Sequence, residues 1–223
     1  MIAVIGAPRL LGTGTDADVA GLAAAIAVAA ATAGSRVEFV GKTGDDPAGD
    51  AVLLALAHHS VGHVATLRDP SRPTTVVPLD DEPADLDAAD ADASDTGDQT
   101  SPGVPPSSGL AGPVLDAADV GVALRYLPEL GVIVTVHTTA EIVAEASAAS
   151  GWSRTSLIVV VEPGAPLPGE LPASAVALAV ADDEDELGVG AGAAIGRYAA
   201  AIDRGEPADA AYAELIATAS PVV

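Results

Sequence analysis

The chain has 223 residues, nearly half of them hydrophobic but only 2% aromatic, and it contains no cysteine. That is enough for one domain, residues 1–223, with a full core packed by close backbone approach, and it excludes a disulfide framework and thiol chemistry. Nine basic residues against 32 acidic ones leave a formal charge of −23, which excludes nucleic acid and anionic membranes as partners and disfavours polyanions wherever positive potential is not focused locally.

Ile2–Ile5 reads as a buried parallel strand without a basic leader, so a cytoplasmic location is expected. A helix is expected from about Asp16 to Ala33, with Thr15 and Asp18 as a capping-box-like start and Gly34 just past its end. Its apolar stretch, Ala20–Ala33, falls short of the roughly 20 strongly apolar residues that span a bilayer. Arg36–Val40 is a strand, and residues 41–49 form a turn into a helix over about Pro47–His59. His63–Arg68 and Thr74–Leu79, joined by Asp69-Pro70-Ser71-Arg72-Pro73, read as a hairpin. Residues 80–109 carry nine Asp or Glu, then prolines, and no Lys or Arg, the composition of a disordered acidic loop. Val120–Leu124, Val132–Val136, Leu157–Val161 and Val176–Val180 read as strands. Thr139–Ala149, Ala191–Asp203 and Ala208–Ala219 read as helices. Strands alternating with helices imply an α/β protein with a mainly parallel sheet covered on both faces.

Three local patterns invite chemistry that their spacing denies. Gly41-Lys42-Thr43 is no phosphate loop, because Arg36 holds the position of the required earlier Gly and the intervening residues are strand. Lys42 is read as an exposed turn residue. Gly188, Gly190 and Gly192 lack dinucleotide-fingerprint spacing. His58 and His59 are neighbours on a helix and point about 100° apart, so no metal site is assigned to them or to His63.

Two stretches carry a resemblance. Ala20-Gly21-Leu22-Ala23-Ala24-Ala25 and Gly190-Ala191-Gly192-Ala193 keep the frame of the two signatures of the ribokinase (PfkB carbohydrate kinase) family, a Gly-Gly-x-x-x-Asn helix start and a Gly-Ala-Gly-Asp helix start. The turn Gly41-x-x-Gly44-Asp45-Asp46-Pro47-x-Gly49, the strand start Arg72-Pro73-Thr74 and the stop Arg204-Gly205-Glu206-Pro207 also fall at the family's spacing. The resemblance implies a three-layer ribokinase-like sandwich. The short Pro8–Gly14 link implies a lid that is absent or reduced to the 63–79 hairpin, and the chain is shorter than full-length members.

The resemblance also implies a site whose chemistry has gone. Ala25 stands where the sugar-binding Asn would be, and Gly21 and Leu22 offer a sugar no polar side chain. Ala193 stands where the catalytic Asp would be, so no catalytic residue is assigned. Gly190, Ala191 and Gly192 remain candidates for an anion hole or nucleotide site, since amides at a helix start face outward. Glu162-Pro163-Gly164, beside the family's adenine site, reads as an ordinary strand exit. The leading expectation is a binding or regulatory pseudokinase for a small anionic ligand or nucleotide. One alternative is a divergent carbohydrate or nucleoside kinase that uses ATP and Mg, with its base drawn from Asp182–Glu186. Another is an interaction module whose acidic loop engages a basic partner. An apolar edge left by a missing lid would favour a homodimer.

Overall fold

The structure, a computed structural model, describes residues 1–14, 17–78, 112–180 and 187–219. Its centre is β1 (Ile2–Ile5), a four-residue run that is buried throughout. It pairs in parallel on one side with β4 (Val37–Gly44) and on the other with β7 (Val132–Val136). Beyond β4 lies β5 (Thr66–Asp69); beyond β7 lie β8 (Ser156–Val161) and β9 (Val176–Ala179). The six strands run parallel in the order β5-β4-β1-β7-β8-β9. Continuous Val and Ile runs suit strands covered on both faces.

Alternate side chains divide the core in two. Ile2, Val4, Phe39, Val134 and Ile158 face α1 (Leu22–Thr32), α2 (Pro47–His58), α5 (Leu187–Asp203) and α6 (Ala208–Ala219). Ala3, Ile5, Val40, Ile133 and Val159 face α3 (Ala117–Tyr126) and α4 (Ala140–Ser153). The result is the expected α/β sandwich of helices, parallel sheet and helices. No helix among the described residues is long and apolar enough to cross a membrane.

A second, small sheet sits where the chain leaves β1. Its strands are β2 (Arg9–Leu11), β3 (Asp18–Ala20) and β6 (Val76–Val77), in the order β3-β2-β6. The lid is therefore reduced rather than absent, and it is not the expected hairpin. Thr66–Asp69 joins the main sheet and Val76–Val77 joins the small one. The expected helix from Asp16 begins only at Leu22, because Asp18-Val19-Ala20 pairs with β2 and Gly21, at φ 92°, breaks the chain before the helix. Thr15, its expected cap, lies outside the described residues, as does the acidic segment 80–109.

Two further expectations are corrected. Val120–Leu124 is not a strand but the middle of α3, where Val120, Gly121, Ala123 and Leu124 are buried at helical spacing. Asp116 and Asp119 close a reciprocal capping box at its start, which supplies the helix signal that a short apolar run lacks. Residues 41–44 are not turn either, because β4 continues through Gly44.

The closest helix contact is between α1 and α5. A Cβ on Gly192 would fall 2.6 Å from that of Ala25, and one on Gly196 would fall 2.5 Å from the Ile26 carbonyl oxygen and 2.6 Å from the Ala29 Cβ. Only glycine lets the two backbones approach this far. Gly190, two residues before this seam, would meet nothing within 4 Å. Gly196→Ala is therefore expected to destabilise the fold by about 1–3 kcal/mol through overpacking. Gly190→Ala is expected to stabilise it by about 0.5–1 kcal/mol through helix propensity. Chemical denaturation of the two variants reads the opposite signs.

Candidate functional site

Strand order reverses at β1: the chain builds β4 and β5 to one side of it, then β7, β8 and β9 to the other. The crevice at the carboxyl ends of β1 and β7 is the place where an open parallel sheet leaves room for a ligand. Gly6 follows β1 there. A Cβ on it would sit 2.6 Å from the Ala23 Cβ, so the residue admits the first turn of α1 to the crevice.

That first turn presents Leu22, Ala23 and Ala24, all buried, on a helix with no side-chain cap. Gly21 is its N-cap residue, and its carbonyl accepts the Ala25 amide at 3.0 Å. The polar side chain beside this turn is Arg9 of β2, whose Nε lies 3.8 Å from where a Gly21 Cβ would stand. Sequence reasoning missed Arg9, because only the pairing of β2 with β3 brings it next to Gly21.

The second signature is placed differently from expectation. Because α5 starts at Leu187, Gly190, Ala191 and Gly192 lie inside the helix. The Ala191 and Gly192 amides then belong to the i→i−4 ladder and are not among the free groups of a helix start. Gly192 packs on Ala25, so the two signatures meet across the α1–α5 seam. Ala193, next to this contact, is half-buried and carries a methyl group. Asp182–Glu186 fall outside the described residues.

Lys42 is not an exposed turn residue. It sits in β4 and is half-buried, and its Nζ donates to the Asp119 carboxylate of the α3 capping box at 2.6 Å. On either side of β1, the hydroxyls of Thr43 and Thr135 are fully buried without a hydrogen-bond partner.

At the ends of β7 and β8 a cleft of about 490 Å³ is lined by His137, Thr138, Val161, Glu162, Leu167 and Gly169, among others. His137 takes a left-handed conformation, φ 48°, and its Nε2–H donates to the Val180 carbonyl at 2.8 Å. The Thr138 hydroxyl has no partner. Glu162 opens the turn out of β8, and its carbonyl accepts the Ala165 amide at 3.0 Å. Among the described residues, no Lys or Arg lines this cleft.

The Gly-Asp-Asp-Pro turn and the Arg-Pro-Thr strand start form one hydrogen-bonded unit. Asp46 caps α2 by accepting the Gly49 amide at 2.7 Å, and it also accepts the Thr74 amide at 2.8 Å and the Thr74 hydroxyl at 2.7 Å. The Gly44 amide donates to the Thr74 Oγ1 at 2.9 Å, and Arg68 donates to the Gly44 carbonyl at 3.0 Å. A Cβ on Gly49 would lie 2.3 Å from that carbonyl oxygen, which accounts for the glycine. At the far end of α2, His59 Nε2 lies 2.8 and 3.1 Å from the two Asp18 carboxylate oxygens and ties β3 to the helix. His58 and His63 do not join it in a metal site: among the described residues no group of three or more His, Asp or Glu converges.

A parallel six-stranded sheet between two helix layers, with a small second sheet beside β1, is the ribokinase-like fold. Residues 10–82 match the model of the pfkB family carbohydrate kinases. Among solved structures, the fold is shared with a PfkB protein from Polaromonas sp. JS666 at TM-score 0.60 and 13% identity, covering 98% of this chain and 94% of that one. It is also shared with a putative ribokinase from Agrobacterium tumefaciens at TM-score 0.56 and 13% identity, covering 98% and 89%. An uncharacterized sugar kinase from Pyrococcus horikoshii, solved with ATP, aligns at 15% identity and TM-score 0.48. That match covers 75% of this chain and 54% of the kinase, so the chain spans about half that relative's length. No curated protein matches the sequence. By sequence, the similarity to the pfkB family carbohydrate kinases spans residues 10–82, about a third of the chain.

Burial pushes the Asp46 carboxyl upward, but the bonds from Thr74 and Gly49 and the charge of Arg68 outweigh it and hold the pKa below the usual value. A depressed folded-state pKa means the contribution is complete above the unfolded value of about 4 and is lost as pH falls through the folded one. Asp46→Ala should cost about 2–4 kcal/mol at neutral pH, combining a lost N-cap with lost charge-assisted bonds. The gap to wild type should close below about pH 4. Urea titrations across pH check both, and Thr74→Val should be non-additive with it.

Proposed function

We propose that this PfkB-family chain has lost phosphotransfer and acts by binding, as a regulatory or ligand-holding relative of the kinases. The observation that carries the proposal is the contact between Ala25 and Gly192, with Ala193 beside it. The two signature segments bring together methyl groups and glycines, with Arg9 the polar side chain beside Gly21. A positioned general base contributes about 10²- to 10⁴-fold, and Ala193 has no basic atom to supply it. Leu22, Ala23 and Ala24 add no polar group for a sugar to meet.

The residues present also fit Mg-ATP poorly. The 490 Å³ cleft is lined by Glu162 and no cation, Lys42 is held by Asp119, and the chain carries a charge of −23. A triphosphate would find little positive potential to offset its own charge. The same cleft, with the Thr138 hydroxyl unpartnered among apolar residues, suits a smaller ligand.

A second reading has one observation in its favour. Since α5 starts at Leu187, Asp182–Glu186 lie immediately before that helix in the chain, and a divergent kinase would draw its base from among them.

The test is a panel of sugars and nucleosides with Mg-ATP, read by ADP release from the purified protein. No turnover above background is expected. Ala193→Asp should stay equally silent, because the sugar side remains apolar. Robust turnover on any acceptor would overturn the proposal. If that turnover then disappeared on substituting one of Asp182, Asp183, Glu184, Asp185 or Glu186, the second reading would replace it.

A further inference from the structure

We infer that the groove between the C-terminal half of α5, the end of α1 and α6 is a binding site for a small organic monoanion, a monocarboxylate with an apolar body. The groove holds about 440 Å³, within the range of small-molecule sites. Along α5 its lining runs from Ala194 to Arg204, just past the end of that helix, and Arg204 lies about 18 Å from Gly192 at helical rise. The groove opens toward α6 and shares no lining residue with the cleft at the ends of β7 and β8.

Its floor is apolar: Ala194, Ala201 and Leu215 are nearly fully buried and line it. Three kinds of polar group stand around that floor. Arg204 is already engaged, donating to Glu206 at 2.9 Å and to the Ala33 carbonyl at 3.3 Å. Arg197 is exposed and has no ion-pair partner among the described residues. Tyr198 is only 4% exposed and lines the groove.

These groups define the ligand. One uncompensated guanidinium recognises one carboxylate, and its planar fork suits the bidentate geometry. The Tyr198 phenol is held above its ordinary pKa, first by burial and then by the neighbouring Tyr212, so it stays a neutral donor. Tyr212 meets it edge-on, with centroids 6.2 Å apart and the planes at 74°, which fixes the ring. Glu214 also lines the groove. The chain's net charge of −23 disfavours nucleotides and other polyanions here. The apolar floor takes the body of the ligand.

Phenylacetate is the probe, with 2-phenylethanol as its uncharged counterpart, titrated into the full chain at low salt by calorimetry and ligand-observed NMR. The acid should bind saturably and about ten-fold or more tighter than the alcohol. Arg197→Gln should reduce the acid's affinity about ten-fold and leave the alcohol unchanged, and Arg197→Lys should restore only part of it. Tyr198→Phe should weaken the acid about three-fold. Because Arg197 is exposed, its variants should keep the wild-type melting temperature, and the acid-to-alcohol ratio in wild type needs no variant. Equal binding of acid and alcohol, indifference to Arg197→Gln, or no saturable binding of phenylacetate would each overturn the inference.

Discussion

The approach of α1 to α5 is the contact on which the rest of this molecule depends. Gly192 and Gly196 remove side chains where Ala25, Ile26 and Ala29 press against α5. Two helices packed this closely cover one face of the sheet with Ala and Gly at the seam and Leu22, Ile26 and Ile195 turned into the core, which is how a chain with 2% aromatic content closes it. At this seam Gly192 meets Ala25, and Ala193 stands next to the contact.

The segment from Gly44 to Gly49, where β4 turns into α2, has a structural role of its own. Asp46 holds α2, the end of β4 and the approach to β6 in one cluster through Gly49, Thr74 and Gly44. Lys42 extends the tie to the opposite layer through Asp119. Both faces of the sheet are thus fastened near the carboxyl ends of the strands, beside the crevice. This frame is held by its own hydrogen bonds and needs no ligand to form.

Much of the fold was legible in the sequence where burial is two-sided. Ile2–Ile5, Val132–Val136 and Leu157–Val161 could be read directly, because a strand covered on both faces needs an unbroken apolar run. Val120–Leu124 looked the same and is a helix. Five apolar residues carry no period of their own, and the deciding signal was Asp116 and Asp119 just upstream. β3 was missed because three residues including Asp18 do not resemble a strand until β2 pairs with them. The start of α5 was placed too late because glycines obscured helix propensity before Gly190. At the site, the absences at Ala25 and Ala193 were visible from position alone. The Lys42–Asp119 pair joins residues 77 apart, and the surroundings of Tyr198 come from three helices, so neither is local enough to read.

The small sheet is joined to the rest of the molecule in an unusual way. β3 ends at Ala20 and α1 begins at Leu22, so Gly21 alone separates them. At its other end β3 is moored to α2 through Asp18 and His59, an exposed pair of the sort worth about 0–1 kcal/mol. A shift of β3 would therefore pass through Gly21 straight into the first residues of α1, against the packing of α2 on β2 and β3.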